Sequence, residues 1–176
     1  MNEQRKSYPA AIKWLHWIVA AIVLTLIPVG IVMHNLKPGP AQDTLYFWHK
    51  SFGVLVLLLM LVRLAVRLTK GAPPPAAVLT PFERIASVTA HRLLYVLLIL
   101  MPLIGWLGVS AFDAPADFFG LFQLPPLMGK NEDFAKLVFT AHMAGALALI
   151  VVLVAHIGGA LRHALRGDGV IRRMLP

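Results

Sequence analysis

Four long apolar runs, separated by polar, charged or proline-rich segments, set the pattern of hydrophobic and polar positions along the chain. Each run has at least the ~20 residues that an α-helix needs to cross the hydrocarbon core of a bilayer. The predicted spans, in chain order, cover residues 14–34, 47–68, 85–110 and 134–161. The pattern therefore predicts an all-α fold in which four transmembrane helices form one bundle, with residues 1–176 as a single domain.

The segments between the runs contain signals that end or begin helices. Residues 73–75 are three consecutive prolines, which cannot continue the second span as a helix. Residues 80–83 are typical of a helix N-terminus, with a capping threonine, a proline in the first turn and an acidic side chain after it. Gly30 and Gly105 each lie close to a proline inside a span, where the sequence predicts a bend.

Composition agrees with a membrane location. Hydrophobic residues make up 59% of the chain and its mean hydropathy is +0.76, more than a soluble domain of this size needs. The net charge is +8, but no basic and aromatic motif for nucleic acid accompanies it. We therefore expect membrane lipid, and no nucleic acid, among the partners.

Lysine and arginine are divided unevenly between the two sides of the predicted membrane. Twelve of the 16 lie in or beside the N-terminal tail, the segment between spans two and three, and the C-terminal tail; the other four are Lys37, Lys50, Lys130 and Lys136. The positive-inside rule then places both termini in the cytoplasm and the loop 112–133 on the opposite side. In a bacterium this predicts a multi-pass protein of the inner membrane, with that loop in the periplasm.

The chain has no cysteine and seven histidines. The absence of cysteine excludes disulfides, cysteine-ligated iron–sulfur clusters and covalently attached c-type haem. Histidine is therefore the only plentiful metal-ligand type in an otherwise apolar chain.

Four of the histidines form two pairs by depth. His142 and His156 are fourteen residues apart in span four, so they leave one face of the helix about 21 Å apart along its axis. His16 enters span one at the depth of His156, and His49 enters span two at the depth of His142. Two histidines from different helices at one depth are what a bis-histidine haem requires, so the sequence predicts two non-covalent b haems in the bundle. For His142 and His156 the alternative is two histidines hydrogen-bonded to neighbouring helices.

Two arginines and two small residues accompany these histidines. Arg63 lies fourteen residues after His49, at the depth of the other pair, and Arg67 lies one turn further out. Both are candidate partners of haem propionates, with snorkelling to lipid phosphates as the alternative. Ser51 and Gly53 follow His49 and predict a thinned helix surface beside its haem.

The remaining histidines, His34, His91 and His163, lie at interface depth. For each, a solvated or phosphate-contacting side chain is the simpler interpretation. His163 also lies seven residues beyond His156, on nearly the same stripe, where it could contact a molecule bound beneath the second haem.

Together these stretches resemble the bacterial cytochrome b561 family, four-span dihaem proteins related to the cytochrome b subunits of nickel–iron hydrogenases. Besides the His142 and His156 pair, the matching motifs lie at 12–17, 49–53, 62–68, 91–95, 102–106, 119–121, 124–125 and 173–176. The resemblance covers nearly the whole chain. It implies two b haems with iron ligands His16, His49, His142 and His156, and electron exchange with ubiquinone.

A branch of that family oxidises superoxide at the periplasmic haem and passes the electron to quinone, and its residue matching His163 is associated with the quinone end. The resemblance implies the same role for His163. Loop 112–133 is acidic, however, with Lys130 as its one basic residue. Such a loop does not attract anionic superoxide, although Lys50 beside His49 supplies a local positive charge.

Three functions fit these observations. The first is an electron carrier or quinone-linked oxidoreductase that uses two b haems, with superoxide or a periplasmic redox protein as donor. The second is a cytochrome b anchor subunit that links quinone to a partner redox enzyme. The third is a haem-free transporter in which buried histidines relay protons.

Overall fold

The computed structural model describes residues 8–71 and 73–175; most of the charged N-terminal tail, Ala72 and Pro176 lie outside these ranges. In chain order the elements are α1 (Ala10–Asn35), α2 (Pro40–Lys70), α3 (Pro81–Ala111), β1 (Ala116–Phe118), β2 (Phe122–Leu124), α4 (Glu132–Arg166) and a 3₁₀ turn (Ile171–Arg173). All four long helices are long and apolar enough to cross a membrane. The predicted all-α bundle of four spans is confirmed.

Each helix extends beyond the predicted span at both ends, because polar turns outside an apolar run still continue the helix. The largest difference is at α2, which begins at Pro40 rather than at residue 47. Helix α3 begins where the sequence signals predicted. Thr80 accepts a hydrogen bond from the Glu83 amide, and the Glu83 carboxylate accepts one from the Thr80 amide, which together form a capping box.

The helices pack in chain order, α1 on α2, α2 on α3 and α3 on α4, whereas α1 and α4 have no comparably close backbone packing in the described chain. The buried core is a layer in the middle of the bundle, between the depths of the two histidine pairs. Its members are Val19, Val23, Val56, Met60, Leu94, Leu98 and Leu149. Many large apolar side chains on all four helices are instead exposed on the outside, as lipid-facing side chains would be.

The two ends of the bundle differ. At the end that carries both termini, called the terminal end here, the C-terminal segment crosses other elements. The indole of Trp17 in α1 donates to the Met174 carbonyl, and Arg173 donates to the carbonyl of Pro74 in the α2–α3 loop. The opposite end, called the hairpin end, carries the α1–α2 loop and the antiparallel β1–β2 hairpin.

The hairpin is fixed to the N-terminal half of α2. Ser51 is fully buried; its hydroxyl donates to the Asp117 carbonyl at 3.1 Å and accepts from the Phe119 amide at 3.0 Å. Lys50 donates to the Pro115 carbonyl at 2.6 Å, with the Asp117 carboxylate 4.0 Å away. The hairpin is therefore held directly over the helix turn that carries His49.

Candidate functional site

His49 of α2 and His142 of α4 meet inside the hairpin end of the bundle. Their ring centroids are 6.3 Å apart and their planes are inclined by 70°. The Nδ1 atom of each ring is buried and has no hydrogen-bond partner among the described residues, although the backbone of Met101 lies near the His142 ring. Helices α2 and α4 are not packed on each other, so these side chains bridge the interior of the bundle.

Two glycines make room for these rings. A Cβ atom on Gly30 of α1 would lie 3.2 Å from Cε1 of His49, and one on Gly105 of α3 would lie 3.4 Å from Cε1 of His142. All four helices therefore contribute to the hairpin-end site, two with a histidine and two with a bare backbone surface. The sequence associated both glycines with bends, and their contact with the histidines was missed because it depends on how the helices pack.

His16 of α1 and His156 of α4 form a matching pair at the terminal end. Their ring centroids are 6.2 Å apart and their planes are inclined by 82°. Both side chains are half-buried. The structure thus brings together the histidines that the sequence paired by depth, one pair at each end of the apolar core.

The spacing within each pair fits a metal ion bound between the rings. A bond of about 2 Å from metal to imidazole nitrogen places the ring centre roughly 3 Å from the metal, so rings on opposite sides have centres about 6 Å apart. In the described ranges, no group of three or more His, Cys, Asp or Glu side chains could hold a metal ion. The spacing of each pair fits the two histidine ligands of a b haem.

A buried cationic cluster lies at the depth of the terminal-end pair. Arg63 is 9% exposed and its Nε atom has no hydrogen-bond partner. The guanidinium carbons of Arg63 and Arg67 each lie 5.4 Å from the centroid of the Tyr95 ring, and the buried Tyr95 hydroxyl is also without a partner. No Asp or Glu of the described chain forms an ion pair with either arginine. A buried cation needs an anion, so the cluster fits an anionic group such as a haem propionate.

His91 lies beside this cluster, whereas the sequence favoured a solvated or phosphate-contacting side chain. Its ring centroid is 5.1 Å from that of His156, and its Nδ1 donates to the Ser87 carbonyl at 2.6 Å. The available signal was the four-residue spacing between His91 and Tyr95, which places both on one helix face. His34 is exposed, in agreement with the sequence.

His163 is buried near the end of α4, with 8% of its surface exposed. Its Nδ1 lies 2.6 Å from Oδ2 of Asp168, a residue that the sequence did not single out. The hydrogen bond from His163 holds the pKa of the Asp168 carboxyl below its usual value.

The two small residues after His49 have different surroundings. The Ser51 hydroxyl is engaged by the hairpin backbone, as described above. A Cβ atom on Gly53 would meet nothing within 4 Å. A side chain at Gly53 would therefore enter open space, whereas Ser51 is held by the loop.

The comparison with known proteins agrees with this architecture. The family described as prokaryotic cytochrome b561 matches residues 7–176. Cytochrome b561 homolog 2 of Escherichia coli (strain K12) is 30% identical over 168 residues, which cover 91% of this chain and 86% of that protein. A protein of Yersinia pestis, described as probable superoxide oxidase CybB, is 26% identical over 97% of both chains. The match over nearly the full length, together with four membrane-spanning helices, shows that the chain belongs to the prokaryotic cytochrome b561 family of membrane electron-transfer proteins.

Proposed function

We propose that the protein transfers electrons across the membrane between a donor at the hairpin end and ubiquinone at the terminal end, through two b haems. One observation carries this proposal. Two histidine pairs with ring centroids 6.2 and 6.3 Å apart lie at opposite depths of one bundle and share α4. A proton-relay transporter does not require such spacing within both pairs.

Different residues of the chain would hold each of the two haems. His49 and His142 would provide the iron ligands at the hairpin end, and His16 and His156 those at the terminal end. Each haem supplies a one-electron redox centre when bound. Arg63 and Arg67, with the Tyr95 hydroxyl, would bind a propionate of the terminal-end haem. Nε of Arg63 and the Tyr95 hydroxyl are buried without partners in the described chain, and Arg67 lies over the same tyrosine ring.

The charge distribution supports a direction. Twelve of the 16 lysines and arginines belong to the terminal side, which we therefore assign to the cytoplasm of a bacterium, with the protein in the inner membrane. The hairpin then faces the periplasm. Quinone would bind at the cytoplasmic end, where His163 lies two turns beyond His156 on the same helix.

Superoxide is a candidate donor because the Yersinia pestis relative is described as a probable superoxide oxidase. The charges near His49 attract an anion only weakly, because Lys50 donates to the Pro115 carbonyl and lies near the Asp117 carboxylate. A small periplasmic redox protein is the other donor class.

A pyridine haemochrome assay tests the haem count, and we expect two b haems per chain. Replacing His49 or His142 should remove the hairpin-end haem and leave the terminal-end haem. Replacing His16 or His156 should remove the terminal-end haem and leave the hairpin-end haem. One haem per chain in the unaltered protein, or loss of both from each single replacement, would contradict the arrangement.

Reduction spectra test the electron route. Superoxide, generated enzymatically, should reduce both haems, and added ubiquinone should reoxidise them. Reduction by dithionite without reoxidation by ubiquinone would remove quinone from the proposal, whereas a failure of superoxide alone would favour a protein donor.

A further inference from the structure

The terminal end contains a turn that brings a carboxylate back to the helix it follows. Helix α4 ends at Arg166, and Gly167 and Gly169 on either side of Asp168 have φ values of 65° and 79°. Residues other than glycine rarely adopt these backbone angles. The turn directs the Asp168 carboxylate onto His163, with Nδ1 and Oδ2 2.6 Å apart.

Several contacts hold this turn in place. Oδ1 of Asp168 accepts a hydrogen bond from the Val170 amide, so both carboxylate oxygens are engaged. Beyond it, the Met174 carbonyl is bound by the Trp17 indole, and Arg173 reaches the Pro74 carbonyl. The C-terminal segment thus contacts α4, α1 and the α2–α3 loop. These contacts fix its position.

Asp168 is the carboxylate available to His163 at this end. The other acidic side chain on the elements packed against this part of α4 is Glu83 of α3, and it is paired with Arg162 and Arg166 at 3.4 and 2.9 Å. The remaining charged groups on the C-terminal segment, Arg172 and Arg173, are cations.

The contact determines which nitrogen of His163 carries a proton. An ionised carboxylate only accepts hydrogen bonds, so Nδ1 is the donor. In the neutral ring Nε2 is then the acceptor, and in the imidazolium both nitrogens donate, with Nδ1 towards Asp168. In the described part of the chain, Nε2 makes no hydrogen bond. Asp168 thus prepares His163 to gain and lose a proton at Nε2.

We propose that His163 and Asp168 form a proton-transfer dyad for the quinone, in which His163 is the proton donor and Asp168 is its positioning residue. The inference rests on the proposed function. Reduction of a quinone to a quinol consumes two electrons and two protons. The proposed haem route brings the electrons, and His163 supplies protons on the cytoplasmic side.

In each transfer the Nε2–H bond of the His163 imidazolium breaks and an O–H bond forms on a quinone oxygen. The neutral ring keeps its proton on Nδ1, towards Asp168. Cytoplasmic water then returns a proton to Nε2, so the dyad ends the cycle unchanged and the second proton follows the same path.

Replacement of Asp168 by Asn separates this role from a structural one. The amide oxygen can still accept from the Val170 amide, while the amide NH₂ would donate to Nδ1 and move the ring proton to Nε2. Nε2 of the neutral ring then cannot accept a proton from water, and the comparable loss of the Nε2 acceptor in a catalytic triad costs about 10⁴-fold in rate. We expect Asp168→Asn to slow quinone reduction at least tenfold at pH 7.5.

The measurement mixes dithionite-reduced protein with ubiquinone-1 and follows haem reoxidation by stopped flow from pH 5.5 to 8.5. Four variants are compared: His163→Ala, Asp168→Asn, Asp168→Glu, which keeps a carboxylate, and Asp43→Asn as a matched control at the hairpin end. Haem content and spectra are recorded for each. Slow reoxidation in the first two and partial rescue by Asp168→Glu support the dyad.

Two results overturn it in different ways. If His163→Ala is slow but Asp168→Asn matches the unaltered protein at every pH, the dyad is wrong and the quinone location stands. If His163→Ala is as fast as the unaltered protein, the quinone location itself is wrong.

An independent readout covers the case in which Asp168→Asn does not fold. The ¹⁵N shifts of His163, assigned by difference with His163→Ala in the reduced, diamagnetic protein, report the tautomer directly. We expect a protonated Nδ1 in the unaltered protein, and an unprotonated Nδ1 would overturn the dyad.

Discussion

Buried polar atoms without partners are the residue-scale features that point most directly to a ligand. A buried arginine loses its hydration and needs an anion in exchange. Arg63 has a tyrosine ring and a second arginine beside it, and no carboxylate of the described chain pairs with it. An anionic group of a molecule bound in the bundle would provide the anion that this cluster lacks.

Replacement of Arg63 tests whether it binds an anionic group of the terminal-end haem. In Arg63→Leu we expect the terminal-end haem to lose occupancy or to shift to a lower midpoint potential, because removal of a nearby positive charge disfavours the extra electron by roughly 1 kcal/mol or more. Redox titration followed by visible spectra measures this. Arg92→Leu, an exposed arginine of α3, is the control. Unchanged potentials and full haem occupancy in Arg63→Leu would mean that Arg63 does not bind a propionate and instead extends towards lipid phosphates.

Gly30 gives a second prediction at the residue scale. A methyl group there would meet the His49 ring at 3.2 Å, which is tighter than ordinary contact. Gly30→Ala should therefore displace the ring, at a cost of about 1–3 kcal/mol, and reduce haem occupancy at the hairpin end alone. Quantitative haem spectra check this against Gly129→Ala, where the added methyl meets nothing within 4 Å. Full occupancy in Gly30→Ala would show that the helices accommodate the methyl.

At the scale of elements, the apolar runs predicted the helices because burial in lipid requires both length and hydrophobicity, and both are visible in sequence. The β1–β2 hairpin was not predicted. Its strands have three residues each, and its position depends on hydrogen bonds to Ser51, 66 and 68 residues away in the chain. The contact between His163 and Asp168 was missed for a similar reason, since it needs two left-handed glycines to reverse the chain.

The hairpin should depend on Ser51. Ser51→Ala would leave the Phe119 amide and the Asp117 carbonyl without their partner, and unsatisfied buried groups cost about 1–3 kcal/mol each. We expect faster hydrogen exchange at Phe119 and the hairpin amides, while exchange in the middle of α3 stays the same. Mass spectrometry of exchanged peptides measures this. Equal protection of the hairpin in both proteins would mean that the β1–β2 pairing holds it without Ser51.

At the scale of the whole molecule, two sites at opposite depths are separated by a layer of aliphatic side chains. Helix α4 carries a histidine of each pair, so the fourteen-residue spacing sets the separation of the sites along the helix at about 21 Å. The sequence predicted this separation because one continuous helix has a fixed rise. It also placed Arg63 and Arg67 at the depth of one pair, but it could not predict that His91 and Tyr95 join them there, because that depends on how α2, α3 and α4 face each other.

The aliphatic layer also makes electron transfer sensitive to the membrane voltage. About 21 Å is two thirds or more of a hydrocarbon core of about 30 Å, so an electron that passes from the hairpin end to the terminal end crosses most of the electric field. A full crossing corresponds to about 2.3 kcal/mol per 100 mV. In the proposed orientation the electron moves towards the negative side, so each turnover performs electrical work and adds to the potential. In sealed proteoliposomes with quinone reduction as the readout, a negative interior potential should slow turnover and an ionophore should restore it.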